Sequence, residues 1–313
     1  MEGYHSSVLL KEAVDALNIR DACHASERYG AWYLDCTLGD GGHSIEIISR
    51  EGKVIGIDVD PQALERVQRR FKDLRISSDK FRLIQGNFRN IESLAQTDIL
   101  GIEIAGAKLD LAGAIFDLGF SRLQLESPER GFSFSKMGPL DMRMDPALEV
   151  RALDLIKVLS RKELHELFSS LGEEKYSARL ADALVSAREV KPVTTTKELA
   201  DVIVRAVGRV RAVGEKIHPA TRVFQALRIA VNDELAALSE GLNQVVKLIA
   251  EDGRIVVISF HSLEDRIVKN TFKEWEVKRI GQVLTKKPVG PTKKEIQENP
   301  RSRSAKMRVF EKL

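Results

Sequence analysis

Cysteine is nearly absent: Cys23 and Cys36 are the only two in 313 residues. They frame no disulfide scaffold, have no metal-ligand spacing, and suit a reducing compartment, so a cytoplasmic protein without bound metal is expected. No apolar run is long enough to span a bilayer, so no membrane partner is expected. The opening residues Met1-Glu2-Gly3-Tyr4-His5 lack the basic and apolar regions of a signal peptide. The dinucleotide fingerprint Gly-x-Gly-x-x-Gly is also missing: counting from Gly39, Gly41 fits but position 44 is Ser, which speaks against a nicotinamide dehydrogenase. Neither sign of charge dominates, with 49 Lys and Arg against 46 Asp and Glu. The rest is ordinary globular composition, 43% hydrophobic and 30% charged, with room for one large domain or two smaller ones.

What is there centres on Ala31 to Ser44. Trp32-Tyr33-Leu34 reads as a buried strand, the chain breaks into Gly39, Gly41 and Gly42, and a helix restarts at Ser44. Glycines between a strand and a helix let backbone approach a ligand, and the helix start aims free N–H groups at it. A second strand, Lys53 to Ile57, ends at Asp58, about where a strand-end carboxylate holds ribose hydroxyls in a doubly wound sheet. Asp35 and Asp40 put negative charge beside the loop, which suits a cationic sulfonium with an amino-acid tail better than a pyrophosphate. Asp-x-Thr-x-Gly-x-Gly-Gly-His therefore reads as the S-adenosylmethionine loop of a Rossmann-like methyltransferase; an ordinary βα turn is the plainer alternative.

The remaining chain fits that reading. His5 to Leu17 and Gln62 to Leu74 are expected helices, and Phe81 to Gln85 is a third strand. Phe88, just past it, is either an adenine stack or a core residue. Leu109 to Phe116 is a fourth strand ending at Asp117, where chemistry sits in an open α/β sheet; Ser121 and Gln124 stand next to it. Residues 128 to 146 fit neither strand nor helix period and read as a substrate-facing loop, with Phe132 or Phe134 to stack on a splayed base and Arg143 to take a phosphate; a lid of packing residues is the alternative. From Ala152 to Gly214 the pattern is helical and strandless, an insertion in the main sheet. One long amphipathic helix is expected from about Val223 to Ile249, closed by Gly253, then a fifth strand from Arg254 to Phe260. His261 at its end is either a substrate contact or structural. Met307 to Phe310 would add a final edge strand. The last 38 residues hold eleven Lys or Arg against four Glu, a surplus of seven that leaves the rest of a +3 chain at −4. Such a tail is either a polyanion contact or a solvated end.

With these segments laid out, the chain resembles, nearly end to end, the MraW-type bacterial methyltransferases that make N4-methylcytidine in small-subunit ribosomal RNA. The resemblance rests on Gly41-Gly42-His43-Ser44, Asp58-Val59-Asp60, Asp117-Leu118-Gly119, Arg130 to Phe134, Pro139 to Met144, His218 to Ile229, Ser259 to Arg266 and Asn299 to Ser304. It implies a Rossmann-like domain, residues 1–127 and 216–313, with an inserted small all-helical substrate-recognition domain, 128–215. It implies S-adenosylmethionine contacts at Gly41, Gly42, His43, Asp58, Phe88, Asp117 and Gln124. Catalytic roles are expected for Asp117, Ser121 and His261, and RNA contacts for Phe132, Phe134, Arg143, Arg222, Arg301 and Arg303. The partner would be small-subunit ribosomal RNA or the subunit itself; monomer and homodimer both stay open. The family usually has Pro where Ser7 stands, and Ser-Pro where Arg122-Leu123 stand. Cytosine C5 methylation needs a nucleophilic Cys near the fourth strand end, and neither cysteine is there. A module that binds S-adenosylmethionine and RNA without turnover is the alternative from another class.

Overall fold

Seven strands form one sheet in the order β3-β2-β1-β4-β5-β7-β6. In this computed structural model the described residues are 7–19, 31–96, 110–208 and 217–313. Expectations for His5, Cys23, Leu109 and Val210 lie outside them. The chain divides into two units by contact, Met1–Gly119 with Leu235–Leu313, and Phe120–Glu234.

The first unit carries the sheet. Strands β1 (Trp32–Asp35), β2 (Lys53–Asp58), β3 (Phe81–Gln85), β4 (Leu111–Asp117) and β5 (Ile249–Ser259) are parallel, while β7 (Lys306–Lys312) runs antiparallel between β5 and β6 (Gly281–Val283). The central strands read as continuous apolar runs because both faces are covered; in β4 only Asp117 at the tip escapes full burial. Helices α1 (Leu10–Ala16), α2 (Gly42–Ser49), α3 (Pro61–Asp73) and α4 (Ile91–Gln96) follow in the first half of this unit. Asp60 starts α3 by accepting the Gln62 N–H at 3.1 Å, Pro61 occupies the first turn, and Arg70 and Lys72 sit in the last. The amino- and carboxyl-terminal halves of the unit share one core, in which Leu34, Ile57 and Phe116 meet Leu242, Val257 and Phe272.

The second unit is helical: α5 (Arg122–Glu126), α6 (Ala152–Val158), α7 (Arg161–Ser170), α8 (Ser177–Val190), α9 (Thr196–Val207) and α10 (Ala220–Asn232). Its core includes Leu164, Phe168, Leu184, Leu199 and Phe224. Thr195 and Glu198 form the expected capping box at the start of α9. The chain returns to the sheet unit with α11 (Glu234–Leu248), α12 (Ser262–Val277) and α13 (Lys293–Glu298).

Three details differ from the sequence reading. The single long helix is two, because Asp233 turns into the left-handed region (φ 48°) between α10 and α11. The helical period runs on through Ile249, but Ile249 pairs with Leu111 as the first residue of β5, and Gly253 lies inside that strand rather than closing a helix. The strand of Met307 to Phe310 is not at the edge: β6, too short for a periodicity signal, pairs with Phe310 to Lys312, and Val289 bridges Met307.

Candidate functional site

Three carboxylates end three neighbouring parallel strands: Asp35 on β1, Asp58 on β2 and Asp117 on β4. The carboxyl ends of such strands line the ligand crevice in open α/β sheets. Each carboxylate has a different local task.

Asp58 shapes the glycine turn. Its Oδ2 accepts the Gly39 N–H and its Oδ1 the Asp60 N–H, both at 2.9 Å. Burial raises its pKa to about 6 against these two hydrogen bonds, with Asp60 and Asp35 adding like charge. The turn needs its glycines: Gly39 and Gly41 have φ of 52° and 71°, and a Cβ on Gly41 would lie 3.0 Å from buried Val67. Gly41 is also the N-cap of α2, whose first residues are Gly42, His43 and Ser44.

Asp35 is 2% exposed. It accepts the Ser44 hydroxyl at 2.6 Å and the Thr37 N–H at 3.3 Å, and burial pushes its pKa to about 6. Asp40, the other acid of the loop, is neutralised within the protein: Arg66 of α3 lies 3.2 Å from its carboxylate, and Arg70 donates to its backbone carbonyl. Of the two loop acids, Asp35 has no ion-pair partner among the described residues.

Asp117 is the least satisfied. Its N–H donates to the Thr37 hydroxyl at 2.6 Å, Oδ2 lies 3.6 Å from His43 Nδ1, and Oδ1 is buried without a hydrogen-bond partner among the described residues. Burial raises its pKa well above the carboxylate range, and Asp35 and Glu264 add to the effect. His43, 4% exposed, is held by the Val8 carbonyl at 3.1 Å, and burial lowers its pKa to about 4. A buried acceptor without a donor among the described residues, beside other acids and a histidine whose burial disfavours its charged form, is an environment that favours a cation. It fits the positively charged, amine-bearing methyl donor expected from the sequence.

The other expected residues are placed as follows. Phe88 meets Phe116 edge-on at 5.5 Å and packs on Gly241 of α11, where an added Cβ would come within 2.7 Å of its ring. His261 is the N-cap of α12: its Nδ1 accepts the Glu264 N–H at 3.4 Å, and Glu264 accepts the Phe260 and His261 N–H groups in return. His261 Nε2 is buried and, though 3.2 Å from Glu264 Oε1, is not aligned for a hydrogen bond. Arg301 and Arg303 are exposed on a short 3-10 turn, Pro300–Ser304.

Ser121, Gln124, Phe132, Phe134, Arg143 and Arg222 belong to the second unit. Ser121 and Gln124 cap α5 reciprocally, the Ser121 hydroxyl accepting the Gln124 N–H at 3.2 Å and Gln124 Oε1 the Ser121 N–H at 3.0 Å. Phe132 is buried and stacks on Phe120 (5.4 Å, 20°), itself capped by the Arg228 guanidinium at 4.9 Å. Phe134 stacks on exposed His218 (4.5 Å, 15°). Arg143 pairs with Asp141 at 2.8 Å and donates to the Pro146 and Leu148 carbonyls, closing its own loop. Arg222 donates to the Glu173 carbonyl at 2.9 Å.

This loop is ordered by groups whose role the sequence does not announce. Arg130 donates to the carbonyls of Arg143 and Met144, and Asn232 accepts the Met144 N–H while donating to the Met142 carbonyl. Met142, buried, is held at φ 63°, a conformation a non-glycine residue keeps only when its surroundings enforce it. Thr37 and Glu264 fall in stretches the sequence singles out, but spacing alone does not show that the Thr37 hydroxyl accepts the Asp117 N–H or that Glu264 adds charge beside Asp117.

The whole chain, residues 2–313, matches the model of the MraW methylase family. It is 44% identical to the "Ribosomal RNA small subunit methyltransferase H" of Carboxydothermus hydrogenoformans, over 100% of this chain and 99% of that one. It is 43% identical to the protein of the same name from Halothermothrix orenii, over 99% and 98%. An rRNA methylase structure from Streptococcus thermophilus superposes with a TM-score of 0.43 at 12% identity, over 100% of this chain and 99% of that one. By the family match and the full-length identity together, the chain belongs to the MraW methylase family, which is a family of S-adenosylmethionine-dependent methyltransferases.

Proposed function

We propose that this protein methylates the exocyclic N4 of a cytidine in the decoding region of small-subunit ribosomal RNA. The observation that carries the reading is Asp117 at the tip of the central strand β4, whose buried Oδ1 has no hydrogen-bond partner among the described residues. The names of the full-length relatives supply the substrate class. Bound S-adenosylmethionine would supply an electrophilic methyl group on a positively charged sulfur.

The protein's own residues do the rest. Gly41, Gly42 and His43, with Asp58, Phe88 and Gln124, would hold the cofactor, backbone N–H groups of the turn suiting its carboxylate, Asp58 its ribose hydroxyls and Phe88 its adenine. The cytosine amine is a weak nucleophile because its lone pair is delocalised into the ring. Asp117 accepts a hydrogen bond from that amine and turns the lone pair toward the methyl carbon, so that positioning supplies most of the rate. Ser121 and His261 contact the base, and Phe132 or Phe134 stacks on it once it is splayed from the RNA. Arg222, Arg301 and Arg303 take phosphates. Arg143 shapes the loop presented to the RNA, since nearly all its N–H groups are engaged there. A ribosomal substrate would put the reaction in the cytoplasm; separately, no described helix is long and apolar enough to cross a membrane.

The test is transfer of labelled methyl from S-adenosylmethionine to small-subunit rRNA or subunits by the purified protein, read by nucleoside mass spectrometry. N4-methylcytidine in the decoding region is expected. Cofactor and RNA binding without label would make the protein a binding module, and label on another nucleoside or another RNA would overturn the assigned target.

A further inference from the structure

His43 and Asp117 face each other with the proton between them unassigned by any hydrogen bond. His43 Nε2 lies 3.1 Å from the Val8 carbonyl. A carbonyl can only accept, so Nε2 carries the hydrogen, and in a neutral ring Nδ1 is a bare lone pair. That lone pair looks at Asp117 Oδ2 across 3.6 Å. An ionised Asp117 would set lone pair against lone pair; a protonated one turns an O–H toward the ring. The groups around Asp117 push the same way. Asp35 on β1 and Glu264 on α12 both add negative charge to its surroundings, and Asp58 is coupled in turn to Asp35; His261, at the start of α12, faces Glu264 at 3.2 Å.

We propose that His43 is a positioning residue that keeps a proton on Asp117 until a cationic methyl donor enters, so that the donor displaces a proton its neutral by-product does not. This rests on the methyl-transfer reading above. Burial supports it from both sides, raising the pKa of Asp117 and lowering that of His43 to about 4. The reaction balances on the same pair. A bond forms between the amine nitrogen and the methyl carbon, the carbon–sulfur bond breaks, and its electron pair stays on sulfur, which becomes neutral. The nitrogen then sheds one proton. Asp117, ionised while the positive charge was beside it, takes that proton on a carboxylate oxygen and again faces His43 as an acid. The charge of the crevice is the same before and after, and the next donor displaces the proton just gained.

The experiment is titration calorimetry of the full-length protein with S-adenosylmethionine and, separately, S-adenosylhomocysteine, in buffers of different ionisation enthalpy. At about pH 7.5, Asp35 and Asp58, near 6, are already ionised and contribute little to the count. S-adenosylmethionine should release about one proton more than S-adenosylhomocysteine. Asp117→Asn should abolish the difference. His43→Gln, whose amide still reaches the Val8 carbonyl but offers no lone pair at Nδ1, should cut it by at least half. Equal proton counts in the wild type, or a difference that survives either substitution, overturns the proposal. The infrared band of a protonated carboxyl, assigned to Asp117 by its loss in Asp117→Asn, tests the ligand-free protein directly and stands even if His43→Gln does not fold; absence of the band also overturns it. Heat from neither ligand would instead sink the methyl-donor reading and leave the band to decide the role of His43.

Discussion

Replacing Asp35 by Asn should change how stability depends on pH, because burial holds its proton more tightly in the folded protein. Asp35 is buried, and its pKa rises from 3.8 to about 6 because burial outweighs the Ser44 and Thr37 hydrogen bonds. A carboxyl raised on folding binds its proton more tightly in the native state, so its contribution falls as pH rises between those two values. The destabilisation reaches about 3 kcal/mol above pH 6 and is absent below about 4. His43 works in the opposite direction: its pKa drops from 6.5 to about 4 on burial, so stability is lost as pH falls through that range. The two nearly cancel in the wild type between about pH 4 and 6. Asn accepts from Ser44 or Thr37 without charge. Urea denaturation of wild type and Asp35→Asn at about pH 4 and pH 7.5 should therefore show the variant gaining about 3 kcal/mol relative to wild type at the higher pH. A stability difference that does not vary with pH would refute the assignment of a raised pKa to Asp35.

Three further substitutions separate the roles of turn, loop and tail. Gly41→Ala places a Cβ in the left-handed region and against Val67, and should cost about 2–4 kcal/mol with a lowered melting temperature; an unchanged melt would mean the turn has another available conformation. Asn232→Ala leaves the Met144 N–H and the Met142 carbonyl without their partner, and should cost about 1–3 kcal/mol and depress RNA methylation while S-adenosylmethionine affinity holds; equal loss of both would contradict a role confined to the loop. Arg301→Ala with Arg303→Ala should flatten the dependence of log K for RNA on log salt by about 1.4–1.8; an unchanged slope would remove these two arginines from the RNA contact.

The sequence carried the strand tips and glycine turn of the sheet unit because they follow from local rules. An apolar run buried on both faces ends in an acid, and glycine takes up the positive φ that follows. It did not carry what depends on partners far along the chain. Nothing near Asp40 announces Arg66, so its charge reads as available when it is already paired. The break at Asp233 has neither glycine nor proline, and the apolar spacing on both sides stays in phase, so one helix was the natural expectation. The start of β5 at Ile249 is set by pairing with Leu111 past an irregular register, which overrides the helical period there. The loop around Met142 has no period because its order comes from Arg130, Arg143 and Asn232 binding backbone carbonyls, a signal no spacing rule reads.

A crystal structure with S-adenosylhomocysteine tests the placement of the methyl donor most directly. The ligand should lie on the Gly39–Gly42 turn with its ribose at Asp58 and its sulfur facing Asp117. Clear density for it anywhere else, with these three groups untouched, would contradict a cofactor crevice at these strand ends.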